Sequence, residues 1–231
     1  MDFLKNKLSK SITLFYFVIA FIEVIAETYN DKSLVFIFKP LLSVIIMVLY
    51  WKISKKRDTL FFAVIFFALV TNVLFIPNTE KMLLAGLLTF LIHRLLMIYY
   101  ITKLIKLKDF IPLLIAIIPF LFIFFYLLSI SSGITTISYY VLIIQNILIS
   151  IIGGIVLSNF MMDDKVKTPW FLIFGLLSVV QYFIVFLEKY YLSSLAPVIF
   201  RPIAMILNIM VYYSFFRFVI SLENKTIEKP I

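Results

Sequence analysis

Residues 66–100 decide the fold, and they read FFALVTNVLFIPNTEKMLLAGLLTFLIHRLLMIYY. Two long apolar segments flank a polar turn at 77–81. An α-helix needs about 20 mainly apolar residues to cross a bilayer, and both segments come close to that length. Asn72 interrupts the first segment, and His93 and Arg94 interrupt the second. The stretch therefore predicts a transmembrane hairpin that carries polar groups within the membrane.

The composition of the whole chain is that of an integral membrane protein. The 231 residues are 64% hydrophobic, with a mean hydropathy of +1.12, whereas a soluble domain is roughly 45–50% apolar. The chain has no cysteine and one histidine, so we expect no disulfide framework, no metal site and no cofactor. The net charge of +9 lies in short loops between apolar segments. It therefore reports topology, and we expect no nucleic-acid partner.

The length criterion predicts a single transmembrane domain of eight helices, an all-α bundle. Residues 222–231 form a polar tail that we expect to be frayed. The predicted spans are 11–29, 34–51, 58–76, 82–104, 110–130, 137–160, 169–190 and 195–221.

Lysine and arginine residues predict the orientation of the bundle. Fifteen of them lie on the side of the two termini, and only Lys32, Lys81 and Lys189 lie in loops on the other side. The positive-inside rule then places both termini in the cytoplasm. We expect a multi-pass protein of a bacterial cytoplasmic (inner) membrane.

Several charged or polar residues lie within the predicted spans at one depth. Glu23, Lys39, Asn72 and Arg201 lie four to six residues from the predicted outer helix ends, which places them at one level because a helix rises about 1.5 Å per residue. A charge at a helix centre costs roughly 2.5–3.5 kcal/mol on insertion scales. We therefore predict a polar cavity that opens outward, and an ion pair between Lys39 and either Glu23 or Glu27.

Three helices carry small or polar residues along one face. For the sixth helix we favour close helix packing, whereas packing and ligand binding remain equal alternatives for the fourth and eighth. The residues are Asn146, Ser150, Gly154 and Ser158 on the sixth helix, Gly86, Thr89, His93 and Tyr100 on the fourth, and Arg201, Met205, Asn208 and Tyr212 on the eighth.

The order of these elements resembles the YhhN-like (lysoplasmalogenase) family of eight-helix membrane proteins. The motifs that carry the resemblance lie within 34–100 and are Phe38-Lys39-Pro40-Leu41, Thr71-Asn72, Pro77-Asn78, Gly86-Leu87, Phe90, His93 and Tyr99. The chain departs from the family at both acidic positions. Asn72 stands where the family has aspartate, and the second acid falls near Gln181.

The resemblance implies hydrolysis of the vinyl ether bond of a lysoplasmalogen, with a membrane lipid or lysophospholipid as the partner. Such chemistry needs a proton donor and a carboxylate that activates water, so the missing acids predict weak or lost activity. The candidate catalytic residues are Glu23, Glu27, Asn72, His93 and Gln181, and the candidate substrate-binding residues are Lys39, Tyr99, Arg201, Asn208 and Tyr212.

Two alternatives to an enzyme remain open. One is a non-catalytic lipid-binding or structural membrane protein, and the other is a small transporter that uses the buried charges. The sequence leaves the oligomeric state undecided.

The predicted topology can be tested with reporters. A reporter fused after Lys229 should lie in the cytoplasm, and one inserted near Thr135 should lie outside, because the basic residues flank both termini. Alkaline phosphatase and fluorescent-protein activities measure the two locations. An external C-terminal reporter would contradict the orientation.

Overall fold

The chain folds into eight α-helices and one π-helical turn in the computed structural model, which describes residues 7–105, 110–131, 133–162, 168–192 and 199–228. The π-helical turn, Leu187–Tyr191, extends the seventh helix. The helices are α1 Lys7–Thr28, α2 Lys32–Ile53, α3 Thr59–Phe75, α4 Glu80–Leu104, α5 Phe110–Ile130, α6 Thr136–Met162, α7 Pro169–Phe186 and α8 Phe200–Glu228.

The predicted all-α membrane bundle is confirmed. Seven of the described helices are long and apolar enough to span a membrane, and α3, with 17 residues, lies at the lower limit of about 17. The predicted frayed tail was wrong as far as Glu228, because α8 continues to that residue. Residues 195–198 of the eighth predicted span lie outside the described residues.

Aspartates fix the starts of two helices. The carboxylate of Asp31 accepts hydrogen bonds from the backbone N–H groups of Ser33 and Leu34 at the start of α2, and Asp58 accepts one from Leu60 at the start of α3. These side chains satisfy N–H groups that have no partner within the helix. Short connections therefore suffice to reverse the chain between neighbouring helices.

Helices α6 and α8 form the centre of the bundle. In the most apolar 18-residue window of each, 72% of the residues are buried, against 28% in α5. Helix α8 packs against α1, α2 and α7, whereas α6 packs against α4, α5 and α7. Helix α5 packs chiefly against α6 and leaves a broad apolar face outside the protein.

An aromatic block closes the end of the bundle that carries the two termini. We define this block as Tyr50, Phe61, Tyr100, Phe174 and Phe215, none of which is more than 1% exposed. The Tyr50 and Phe61 rings stack with centroids 3.8 Å apart, and Phe61 stacks on Phe215 at 5.7 Å. The contacts join α2, α3, α4, α7 and α8, so this end is filled with side chains.

Glycine permits close packing of α6 against α5. A Cβ atom added at Gly154 would overlap the side chain of Ile117 and would lie 3.2 Å from its backbone nitrogen. Backbone cannot move aside as a flexible side chain can. The predicted role of this face of α6 in helix packing is therefore confirmed at Gly154.

We expect Gly154→Ala to destabilise the protein by roughly 1–3 kcal/mol, because the added methyl group overpacks the α5–α6 contact. Thermal unfolding in detergent measures the loss. Ser158→Ala is the matched control, since it removes an atom one helical turn away and should change stability by only about 0.5 kcal/mol. Equal stability of wild type and Gly154→Ala would contradict the close approach.

Candidate functional site

A cavity of about 250 Å³ lies at the end of the bundle opposite the aromatic block. Side chains of α1, α2, α3, α4, α7 and α8 line it, together with residues of the turns that join α1 to α2 and α3 to α4. We call this the pocket end. Exposed turn residues Asn30 and Asn78 contribute to the lining, so the cavity opens to the protein surface.

Seven of the ten candidate site residues converge on this cavity. Of the four residues that the sequence placed at one depth, Lys39, Asn72 and Arg201 line the cavity and confirm the shared polar level, whereas Glu23 does not line it. The seven are Glu27, Lys39, Asn72, Gln181, Arg201, Asn208 and Tyr212.

The remaining three candidates, Glu23, His93 and Tyr99, lie outside the cavity lining. Glu23 is fully buried, and neither of its carboxylate oxygens has a hydrogen-bond partner among the described residues. His93 is buried, and its Nδ1 donates a hydrogen bond to the carbonyl oxygen of Val64 at 2.9 Å. Tyr99 is 59% exposed on the outer surface of the bundle. The structure thus gives His93 a packing contact between α4 and α3, and leaves Tyr99 on the bundle's exterior.

Lys39 forms an ion pair with Glu27 on the cavity wall. The distance from Nζ to Oε1 is 2.6 Å, and the side chains are 16% and 13% exposed. The sequence left Glu23 and Glu27 as alternatives, and the structure selects Glu27. Pairing offsets part of the cost of removing both charges from water.

A chain of polar contacts crosses the cavity opening, and we call it the mouth network. Arg201 Nη1 donates to Asn30 Oδ1 at 2.9 Å, and its Nε donates to Glu188 Oε1 at 3.2 Å. Lys189 Nζ lies 3.6 Å from the same Glu188 oxygen and donates to Asn78 Oδ1 at 2.9 Å. The network therefore links the α1–α2 and α3–α4 turns to the π-helical turn and to the first turn of α8.

The two asparagines of this network also shape their turns. Asn30 and Asn78 have φ angles of 54° and 56°, in the left-handed region that asparagine tolerates better than most residues. The same residue type thus supplies both the turn conformation and an acceptor for a cation.

Amide side chains line the deeper part of the cavity. Asn72 Nδ2 donates to the Tyr212 hydroxyl at 3.5 Å, joining α3 to α8. Gln181 Nε2 donates to Asn208 Oδ1 at 2.7 Å, joining α7 to α8. The two positions where the family resemblance expects acids are thus occupied by neutral groups that bridge helices.

Arg94 is a lining residue that was absent from the sequence-based candidates. It is 3% exposed, and its Nη1 donates to the backbone oxygen of Gln145 at 2.9 Å. Its guanidinium carbon lies 4.3 Å from the centroid of the Phe90 ring and 4.2 Å from that of Tyr182. Among the described residues, no carboxylate lies within ion-pair distance of this side chain.

The sequence analysis missed Arg94 because it chose the neighbouring face of α4. The predicted stripe packs against α3, where Thr89 lies 3.1 Å from Thr71. The face of α4 that lines the cavity is offset by one residue from the predicted stripe of Thr89 and His93. On this face Phe90 and Arg94 lie four residues apart and share a side of the helix. That aromatic–arginine spacing is the signal that could have identified the face.

The charges of the lining favour an anionic ligand. Both lining carboxylates, Glu27 and Glu188, pair with cations. The described lining residues include five basic side chains against these two acidic ones. The basic residues are Lys32, Lys39, Arg94, Lys189 and Arg201.

Comparison with known proteins adds no relative. No family model matches the chain, and no curated protein or solved structure is similar to it. Membership of the YhhN-like family therefore stays a prediction that rests on the sequence motifs.

A double-mutant cycle tests the Lys39–Glu27 ion pair. Lys39→Met should destabilise the protein more than Lys39→Met combined with Glu27→Gln, because the single change leaves a carboxylate without its cation. We expect a coupling of about 1 kcal/mol or more in detergent unfolding experiments. Glu23→Gln in place of Glu27→Gln is the control and should restore less stability. Additive losses for Lys39 and Glu27 would contradict the pair.

Proposed function

We propose that this protein binds a lysophospholipid through its phosphate-bearing head group, and that vinyl ether hydrolysis is weak or lost. The observation that carries the proposal is a cavity whose basic side chains outnumber its acidic ones, with both acidic ones already paired. An anionic group would compensate this excess of positive charge.

The size of the cavity favours a head group. Pockets for drug-sized ligands occupy roughly 300–1,000 Å³, and this cavity measures about 250 Å³. A glycerophospho group fits such a volume, whereas a complete lipid does not. The acyl or alkenyl chain of the ligand would therefore remain outside the cavity.

The acid–base groups argue against efficient hydrolysis. Protonation of a vinyl ether needs an acid, but the amide of Asn72 cannot serve as one, and Glu27 and Glu188 are held by cations. Glu23 lacks such a partner but does not line the cavity. Binding without turnover is the function that agrees with these positions.

Transport is favoured less than binding. A transporter needs a polar route that can open to both sides of the membrane. The lining of this cavity does not include the aromatic block at the opposite end of the bundle, where Tyr50, Phe61 and Phe215 are fully buried. This block supports a site with access from one side.

The positive-inside rule completes the proposal. With both termini in the cytoplasm of a bacterial cell, the pocket end would face the outside of the cytoplasmic membrane. The ligand would then come from the outer leaflet or from the external medium.

Purified protein in a maltoside detergent should bind a lysoplasmalogen saturably and release little or no aldehyde. Isothermal titration calorimetry measures binding, and an aldehyde assay measures hydrolysis. A monoacylglycerol of equal chain length is the control ligand and should bind at least about tenfold more weakly, because it lacks the charged group that the cavity would pair with.

Asn72→Asp tests the lost chemistry. If a nearby carboxylate can take the complementary role, this variant should release more aldehyde than wild type, with Asn72→Ala as the inactive control. Rapid aldehyde release by wild type, abolished by Glu23→Gln and unaffected by Asn72→Ala, would contradict a purely binding function.

A further inference from the structure

We infer that Arg94 binds the phosphate group of the ligand deep in the cavity, and that Lys39 and Arg201, two of the substrate-binding candidates from the sequence, do not. The inference rests on the proposed function in that it concerns the same cavity. It differs in naming the residue and the chemical group, and it holds for the phosphate of a lipid head group or of a free phosphate ester.

Arg94 has hydrogen-bond donors that no described protein group accepts. A guanidinium carries five N–H donors. The structure gives Arg94 one protein acceptor, the backbone oxygen of Gln145, among the residues it describes. The side chain is almost fully buried yet lines the cavity, so a ligand in the cavity is the acceptor available for its remaining donors.

Arg94, unlike Lys39 and Arg201, has no carboxylate partner among the described residues. Lys39 contacts Glu27 at 2.6 Å, and Arg201 contacts both Glu188 and Asn30. A ligand that bound to these cations would have to displace a carboxylate first. Arg94 requires no such displacement, since no described carboxylate lies within 4 Å of it.

Two aromatic rings restrict the position of the Arg94 guanidinium. Its central carbon lies 4.3 Å from the centroid of the Phe90 ring and 4.2 Å from that of the Tyr182 ring. The Tyr182 ring is itself fixed, because its hydroxyl donates to Asn146 Oδ1 at 2.7 Å. Aromatic contacts accept none of the N–H groups in conventional hydrogen bonds, so the remaining donors of Arg94 can make a bidentate contact with an oxyanion.

The surrounding groups favour phosphate over carboxylate. Asn72, Gln181 and Tyr212 line the same cavity and supply amide and hydroxyl groups from three other helices, α3, α7 and α8. A tetrahedral phosphate presents oxygens in several directions at once, whereas a carboxylate presents two in one plane. A phosphate on Arg94 could thus use these groups in addition to the guanidinium edge.

The test compares four ligands and four variants in a maltoside detergent, which carries no phosphate. The ligands are lysophosphatidylcholine, glycerol 3-phosphate, a monoacylglycerol and a fatty acid of the same chain length. The variants are Arg94→Gln, Arg94→Lys, Lys39→Met combined with Glu27→Gln, and Arg201→Gln combined with Glu188→Gln. Calorimetric affinity is the readout, and circular dichroism and thermal unfolding report folding.

We expect Arg94→Gln and Arg94→Lys each to weaken the binding of lysophosphatidylcholine by about tenfold or more. Glutamine removes the charge, and lysine keeps the charge but loses the planar fork of donors. The two double variants should weaken binding by no more than about threefold, since each removes a cation together with its carboxylate and leaves the net charge of the lining unchanged. The fatty acid should bind more weakly than lysophosphatidylcholine. Should Arg94→Gln fail to fold, Arg94→Lys alone decides, because it retains the buried charge.

The outcomes separate the inference from the proposed function. Strong lysolipid binding that survives both Arg94 variants overturns the inference and leaves the proposed function intact. If glycerol 3-phosphate binds in a way that depends on Arg94 and the lysolipid does not bind, the inference is supported and the proposal of a lysophospholipid ligand is overturned. Preference for the fatty acid overturns the assignment of phosphate, and binding of neither phosphate compound overturns both.

Discussion

Hydrocarbon offers no hydrogen bonds, so a polar group inside this bundle is costly unless protein or water in a cavity satisfies it. The chain meets this constraint for two pairs of intramembrane charges at one end, and the buried carboxylate of Glu23, which has no hydrogen-bond partner among the described residues, is an exception. Lys39 pairs with Glu27, and Arg201 pairs with Glu188. These four residues, with their amide neighbours, line the cavity.

The opposite end satisfies the same constraint in a different way. Aromatic rings fill the space between the helices, and three polar side chains there, Tyr50, Ser54 and Glu223, are bonded to one another. Glu223, on the last turns of α8, accepts hydrogen bonds from the Tyr50 hydroxyl at 2.8 Å and from Ser54 Oγ at 2.7 Å. These bonds fix the end of α8 to the α2–α3 connection, which explains why the helix continues through a segment whose composition predicts fraying.

The sequence predicted the helices well because span length and hydrophobicity are properties of one segment. It also predicted a shared polar level correctly for Lys39, Asn72 and Arg201, because depth follows from counting residues along each helix. It could not rank Glu23 against Glu27, which lie one turn apart on the same side, since only the position of α2 selects the partner. Arg94 was missed for a related reason. A shift of one residue rotates the chosen face of α4 by about 100°, and the sequence alone does not say which face meets α6 and α7.

The neutral residues at the expected acidic positions have an electrostatic consequence. The resemblance implies acids at Asn72 and near Gln181, and both of these residues line the cavity. The described lining carries five basic and two acidic side chains, and two further carboxylates would leave an excess of a single positive charge. These carboxylates would line the same cavity as Arg94, whose guanidinium has no carboxylate partner among the described residues. They would compete with an anionic ligand for that guanidinium. Amides at these positions therefore remove the groups that hydrolysis would use and at the same time keep the cavity attractive to an anion, which is why the same two residues argue for binding and against turnover.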